Sequence, residues 1–147
     1  MTLRTTTRTD GGMDITISLT AGEASAIGPA EAEGLVDWFD TALWGLAMLR
    51  TGLISRGPDD LPADCAEMDT VIRDLDAKLL PRLEGIRDAA IRRHKELGGS
   101  VGALASAMNV ARSTAQTRRE ALEQPGPRRA SSAAWQEWAT RTANPQP

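Results

Sequence analysis

Residues that end helices limit what the stretch from position 98 to 125 can form. Gly98, followed by a second glycine, ends a preceding helix because glycine readily adopts the left-handed conformation found after a helix C-terminus. Ser100 is suited to cap a new helix, which stops near Asn109, a residue type that tolerates the left-handed turn conformation. A second helix then begins near Arg112 and ends before Pro125. The pattern predicts two short helices joined by a tight turn.

The small and apolar residues of this stretch resemble the helix-turn-helix of bacterial transcriptional regulators. That motif has an alanine facing the partner helix, a turn residue four positions later, an apolar plug, and an apolar residue five positions beyond the plug. Here the matching residues are Ala105, Asn109, Val110 and Ala115, with Leu104 and Met108 completing the inner face of the first helix. The resemblance implies a three-helix unit over residues 81–124 that binds double-stranded DNA, its last helix entering the major groove.

The resemblance also indicates which side chains contact DNA. Base-reading candidates lie near the N-terminus of the second helix, where Arg pairs with guanine and Gln with adenine: Arg112, Ser113, Gln116, Thr117 and Thr114, the last expected to be half-buried. Phosphate-binding candidates lie farther along that helix, on the preceding helix and at the first helix N-terminus: Arg118, Arg119, Arg92, Arg93 and Ser100. At a position of the motif that is usually apolar, Arg118 is expected to extend its stem so that its charge reaches solvent.

Charge is distributed unevenly along the chain. Residues 1–80 contain 14 acidic and 6 basic side chains, whereas residues 81–147 contain 6 acidic and 11 basic ones. A duplex attracts local positive surface, and distant charge is largely screened beyond about 10 Å. The asymmetry predicts three parts: an acidic dimerisation region over 1–80, a DNA-binding unit over 81–124, and a linker and flexible tail over 125–147. The fold class expected is mainly α, with a small N-terminal β-hairpin or strand.

The first 28 residues contain strand and turn signals followed by a short helix. A Thr-rich run, a turn at Asp10-Gly11-Gly12 and the alternating Ile15, Ile17 and Leu19 predict a hairpin or a single strand. Because an isolated hairpin is marginally stable, we expect it to pack on helices or to pair across a dimer. Thr20 and Glu23 have the spacing of a capping box, opening a helix that stops near Gly28-Pro29.

A long helical pattern runs from Pro29 or Ala30 to about Gly57-Pro58. Its apolar residues cover much of the helix circumference from position 42 onward. A helix that is apolar on more than one side is either central in the fold or shared with a partner. Residues 35–54 therefore predict a homodimer interface, with an intramolecular core as the alternative.

Two further amphipathic helices are expected before the DNA-binding motif. After a loop that includes Asp59 and Asp60, a third helix from about Ala63 has Met68, Ile72, Leu75 and Leu79 on one face. Pro81 either kinks this helix or begins the next one. From Pro81 to Leu97 the pattern turns Leu83, Ile86, Ala90 and Leu97 inward and places most of the Arg and Lys side chains outward, Arg82 among them.

The C-terminal segment suggests an alternative function. A linker at 124–127 precedes a possible short helix and a frayed end, and Arg128 and Arg129 on the linker are candidates for DNA contact or ordinary solvated residues. Trp135 and Trp138 share a helix face, and paired tryptophans often anchor protein partners. A protein-binding adaptor, such as an antitoxin or an anti-sigma-like factor, therefore remains open. The simpler interpretation is that the tail docks onto its own core or onto a dimer mate.

Several residue types exclude other classes. With one Cys and one His, Cys65 and His94, a zinc site would need carboxylates, and no metal or cofactor is expected. The sequence shows no phosphate-binding glycine loop and no Ser–His pattern, so an enzyme is not expected. No apolar run is long enough to span a bilayer, and the N-terminus lacks a signal-peptide pattern. A single cysteine fits a reducing cytosol, and the expected location is cytoplasmic.

Overall fold

The computed structural model describes residues 1–54, 61–124 and 127–141, with only the backbone for 127–132. The chain is mainly helical with a small N-terminal hairpin, which confirms the predicted fold class. It divides into two compact units, residues 1–37 and 38–141. The predicted loop at Asp59-Asp60 and the predicted frayed end lie outside the described residues.

The N-terminal hairpin pairs strands β1 (Thr2–Thr7) and β2 (Met13–Ser18) in antiparallel register, with Leu3 opposite Ile17. The predicted turn is present, and the carboxylate of Asp10 accepts a 3.0 Å hydrogen bond from the amide of Gly12. Alternation along the strands gathers apolar side chains on one face. All residues of both strands are exposed, and packing of the hairpin on helices or its pairing across a dimer stays a prediction.

Helix α1 (Ala21–Ile27) begins with the predicted capping box. The amide of Glu23 donates to the Thr20 hydroxyl at 3.3 Å, and the amide of Thr20 donates to the Glu23 carboxylate at 2.9 Å. These reciprocal bonds satisfy donors that the first turn of a helix leaves unpaired. The helix stops at Gly28, as predicted, and the next one begins at Pro29.

Helix α2 (Pro29–Thr51) ends earlier than the apolar pattern predicted. Gly52 adopts φ +73°, and the chain then forms strand β3 (Leu53–Ile54), which pairs antiparallel with β4 (Leu61–Pro62). The expected end near Gly57-Pro58 is therefore wrong. A left-handed glycine terminates a helix whatever the hydrophobicity of the residues that follow, and Leu53 and Ile54 belong to a small hairpin.

The two faces of α2 differ within the second unit. One face is buried at Thr41, Gly45 and Met48, where the side chain of Val71 packs directly on Gly45. The other face is apolar yet exposed, through Phe39, Leu43, Leu46 and Leu49. The prediction that this helix is apolar on more than one side is confirmed.

Helices α3 (Cys65–Asp74) and α4 (Leu80–Glu96) are joined by a π-helical turn, Leu75–Leu79. Asp64 caps α3 and forms a capping box with Glu67. The amide of Leu80 donates to the carbonyl of Leu75, five residues back instead of four. Pro81 follows at once, and a proline has no amide to bond the preceding turn. Pro81 thus lies in the first turn of α4, which confirms the alternative that it begins the next helix, and it follows a single widened turn.

The widened turn changes which residues face inward. Val71 and Leu79 are buried, whereas Ile72, predicted to be inside, is 57% exposed. In α4, the predicted inward residues Leu83, Ile86, Ala90 and Leu97 are all exposed, and the buried residues are Gly85, Asp88 and Ile91. The apolar pattern failed here because the buried face of α4 carries a glycine and a carboxylate.

Three more helices complete the second unit: α5 (Val101–Met108), α6 (Arg112–Ala121) and α7 (Pro127–Thr140). Helices α5 and α6 pack on each other, and α7 packs along α4. The backbone of 127–130 is helical, so Arg128 and Arg129 lie on α7 and not on a linker as predicted. The remaining predicted linker positions 125–126 lie outside the described residues.

Candidate nucleic-acid interface

The turn between α5 and α6 has the local geometry that the sequence predicts. Ser100 caps α5, its hydroxyl accepting a 3.1 Å bond from the amide of Ala103. Asn109 is left-handed, with φ 52° and ψ 47°. The amide of Val110 then donates to the carbonyl of Ala105 at 3.0 Å. These bonds satisfy backbone groups at both ends of α5 and fix where α6 begins.

Small residues allow α4, α5 and α6 to share a core. Ala115 is fully buried and Ala105 is 7% exposed, and both belong to one cluster with Ile91, Leu104 and Leu122. Helices whose contact residues are alanines can approach closely, since no long side chain separates their backbones. Val110, predicted to plug the corner, is 37% exposed and fills it only in part.

The N-terminal half of α6 presents polar side chains to solvent. Arg112, Ser113, Thr114 and Thr117 are exposed, so the expectation that Thr114 is half-buried is wrong. Gln116 is half-buried and donates its side-chain amide to the carboxylate of Glu120. Within the described part of the chain, Arg112 makes no hydrogen bond or ion pair. The helix N-terminus also lacks a side-chain cap, because its cap residue is Ala111.

Arg118 is half-buried and bonds a residue that the sequence did not point to. Its Nη2 donates to the carboxylate of Asp88 at 2.7 Å, and the Asp88 side chain is only 4% exposed. Arg87 donates to the same carboxylate at 3.1 Å. The Arg118 side chain is 37% exposed, but its guanidinium turns to a buried carboxylate on α4, which needs a cationic partner. A charged residue at a usually apolar motif position was the signal that pointed to such a pair.

Two other predicted phosphate-binding arginines also make intramolecular contacts. Arg92 donates from Nε to the side-chain oxygen of Gln136 at 2.6 Å and from Nη2 to the carbonyl of Leu122. Arg119 donates to the carbonyl of Gly99 at 3.1 Å, which brings it to the N-terminus of α5, beside Ser100. Arg93 is different, since its side chain is 67% exposed and pairs with Glu96 alone among the residues that the structure describes.

An exposed ion pair joins the ends of α4 and α6. The ammonium of Lys95 bonds the carboxylate of Glu123, and this bond holds the pKa of Glu123 below its ordinary value. The positive charges of Arg119 and Arg92 lower the pKa of Glu123 further. A shallow cleft between the two helices is lined by these same residues, and each of its cations has a partner within the chain.

Helix α7 is docked on α4, and its tryptophans point toward the protein interior. Trp135 and Trp138 are half-buried, meet edge to face with ring centroids 6.0 Å apart, and both lie near the guanidinium of Arg82. Arg82, expected to point outward, is half-buried. The tail therefore contains a helix that packs on its own chain, and the indoles suggested as anchors for a protein partner are engaged within it.

The described ranges hold no group of three or more His, Cys, Asp and Glu side chains placed to bind a metal ion. In those ranges no helix combines the length and the apolar character that crossing a membrane requires. Comparison with protein-family models, with curated proteins and with solved structures finds no match for this chain.

Proposed function

We propose that residues 81–124 form a helix-turn-helix unit that binds double-stranded DNA, with α6 as the recognition helix. The observation that carries the proposal is the N-terminal half of α6. It follows a tight left-handed turn at Asn109 and projects Arg112 together with three exposed hydroxyl side chains. A recognition helix contacts base edges with the residues of this end. An unpaired guanidinium there can bind guanine O6 and N7 without first breaking a bond within the protein.

The contacts within the chain divide the basic residues by role. Arg118 and Arg92, predicted from the sequence as phosphate ligands, are proposed instead to hold α6 in place. Arg119 and Ser100 lie together at the N-terminus of α5, where backbone amides and a positive helix end favour an anion. Ser100 caps the helix through its oxygen, so its hydroxyl proton stays available to donate to a phosphate. Arg93 is exposed and serves as a further phosphate ligand.

The first experiment compares base-reading with phosphate-binding residues. Duplexes are enriched from a random pool with the full chain, and the affinity for the enriched and a scrambled duplex is measured over a salt series. Arg112→Ala should weaken binding to the enriched duplex by about 1–3 kcal/mol with little change on the scrambled one. Arg119→Ala should weaken both alike and lower the salt slope by about one.

Arg73→Ala is the matched control, because it removes an exposed positive charge from α3, outside the proposed unit. Unchanged discrimination by Arg112→Ala would show that α6 does not read bases. Failure of the full chain to enrich any duplex would remove the proposal itself.

We also propose that the protein acts as a homodimer, with α2 in its interface and an inverted repeat as its target. The exposed face of α2 supports this, since Phe39, Leu43 and Leu46 are between 45% and 55% exposed and follow one another at spacings of four and three residues. Such spacing forms a continuous apolar seam along a helix. Two copies of α6 would then lie on half-sites about 34 Å apart.

The dimer is tested by placing a charge in the middle of this seam. Leu43→Glu should convert a dimer to a monomer in sedimentation at micromolar concentration, because an unpaired carboxylate cannot be buried there at low cost. Leu97→Glu is the control: it places the same charge at a leucine that is 70% exposed on another part of the unit. A wild-type chain that sediments only as a monomer contradicts the proposal.

A further inference from the structure

Arg82 is enclosed by three tryptophans that come from two different helices. Its Cζ atom lies 4.0 Å from the ring centre of Trp38 on α2, and 4.5 Å and 5.5 Å from those of Trp135 and Trp138 on α7. We call these three rings the indole cage. A guanidinium over an indole face is attracted by the negative potential of that face, and the attraction grows when water is excluded. One cation on α4 thus contacts both neighbouring helices.

The indole cage depends on a hydrogen bond donated by the guanidinium and on a glycine that lets two helices approach closely. The Nη1 of Arg82 donates to the carbonyl of Lys78 at 2.9 Å, in the π turn that precedes α4. Its Nε is buried and has no hydrogen-bond partner in the described part of the chain. The attraction of the indole faces therefore offsets the cost of removing this part of the guanidinium from water. Three residues later, a Cβ at Gly85 would lie 2.5 Å from the carbonyl oxygen of Trp135. Only glycine at this position lets α7 come close enough for the cage to form.

A second arginine connects the same helix to the end of α6. Arg92 bonds the side chain of Gln136, which is 8% exposed on α7, and also the carbonyl of Leu122, which follows α6. The carbonyls of the last helical turn have no partners inside the helix, and Arg92 serves as one. The Gln136 oxygen keeps the guanidinium oriented for this contact. Helix α7 is therefore connected to the end of α6 through Arg92.

We propose that α7 is a clasp: the indole cage around Arg82 fastens it to α4, and its docking orders the C-terminal end of α6 through Arg92. Release of the clasp frees the guanidinium of Arg92 to rotate and leaves the Leu122 carbonyl to water. The end of α6 then frays. The effect on DNA binding rests on the proposed function, whereas the coupling between α7 and α6 does not.

The test measures amide hydrogen exchange and tryptophan emission in the full chain. Arg82→Ala should raise exchange in residues 133–140 by about tenfold and in residues 119–123 by about threefold, with a red shift of the emission. Methylguanidinium at millimolar concentration should reverse these changes by entering the vacated cage, and failure to reverse them would overturn the role of a cation in the cage. Arg73→Ala serves as the charge-matched control and should change neither segment.

Gly85→Ala provides an independent variant that keeps every charge and every ring. It should release α7 by steric conflict with the Trp135 backbone, so the clasp stays testable if Arg82→Ala does not fold. Unchanged exchange in α7 for both variants would overturn the clasp. Release of α7 with unchanged exchange in residues 119–123 would overturn the coupling. If both segments loosen while binding to an enriched duplex is unaffected, the clasp stands and its effect on DNA binding is overturned.

Discussion

Helix α4 is held on two sides by different kinds of contact. On the side of α5 and α6, its Ile91 packs in an aliphatic core and its buried Asp88 carboxylate pairs with Arg118. On the side of α7, its Arg82 guanidinium lies over indole rings and its Gly85 packs against the backbone of Trp135. The first side could be partly predicted, because small apolar residues at fixed spacing indicate a close helix crossing. The second side could not, because arginine and glycine are typical of exposed surfaces and of turns.

The largest effect is expected on the α6 side, from Asp88→Ala. Removing one member of a buried ion pair typically costs about 3–5 kcal/mol in the free energy of unfolding, and the partial exposure of Arg118 places the value near the lower end. Urea unfolding measures it. The double variant Asp88→Leu with Arg118→Met should recover most of the loss, since both members of the pair are then removed and Arg87 keeps its contact with Glu84. A loss under 0.5 kcal/mol for Asp88→Ala, on the order of an ordinary surface change, would contradict this account.

On the α7 side, Gln136→Leu should cost only about 1 kcal/mol in the free energy of unfolding. The substitution keeps the volume but removes the acceptor for Arg92 Nε, which can turn to water because Arg92 is exposed. Glu137→Leu, at the exposed neighbouring position, should stay within about 0.5 kcal/mol. A loss for Gln136→Leu as large as that for Asp88→Ala would show that the two sides of α4 do not differ as described.

The smallest effect concerns the exposed pair of Lys95 and Glu123. The bond from Lys95 lowers the pKa of Glu123 below 4.5, so the contribution of the pair is complete above pH 4.5 and is lost as the pH falls through the folded-state pKa. Lys95→Met should raise the pKa of Glu123 toward its ordinary value in an NMR titration. The control variant Arg73→Met should leave the titration of Glu123 unchanged. Identical curves for the Lys95 variant and the parent chain would show that the pair does not persist in solution.

Local signals predicted local structure well. The Thr20–Glu23 capping box, the turn at Asp10, the start of α2 at Pro29 and the left-handed Asn109 are all confirmed. Each depends on a few neighbouring residues whose backbone preferences tertiary contacts did not override. Gly52 was such a signal too. The apolar residues after it nevertheless led to a predicted end of α2 that was several residues too late.

Orientation of the helices was harder to predict than their existence. An apolar stripe was expected to face inward on α4, and the structure buries Gly85 and Asp88 instead. Those choices depend on partners distant in sequence, Trp135 and Arg118, which a single-helix pattern cannot include. At the proposed interface the same limit applied to Arg92 and Arg118. Both were predicted as surface cations, and both bond groups more than 25 residues away.

The π turn at Leu75–Leu79 changes the directions in which the side chains of α4 point relative to those of α3. Without it, α3 and α4 would form one regular α-helix. Residues eight apart on an α-helix point about 80° away from each other, but one extra residue in the path reduces the offset to about 20°. Val71 and Leu79 can therefore both face inward, and Ile72 loses its place beside Leu79. A regular α-helical turn made of the same residues would rotate everything after it by about 100°. Arg82 would then turn away from Trp38, so the widened turn sets the side of α4 on which the indole rings can surround Arg82.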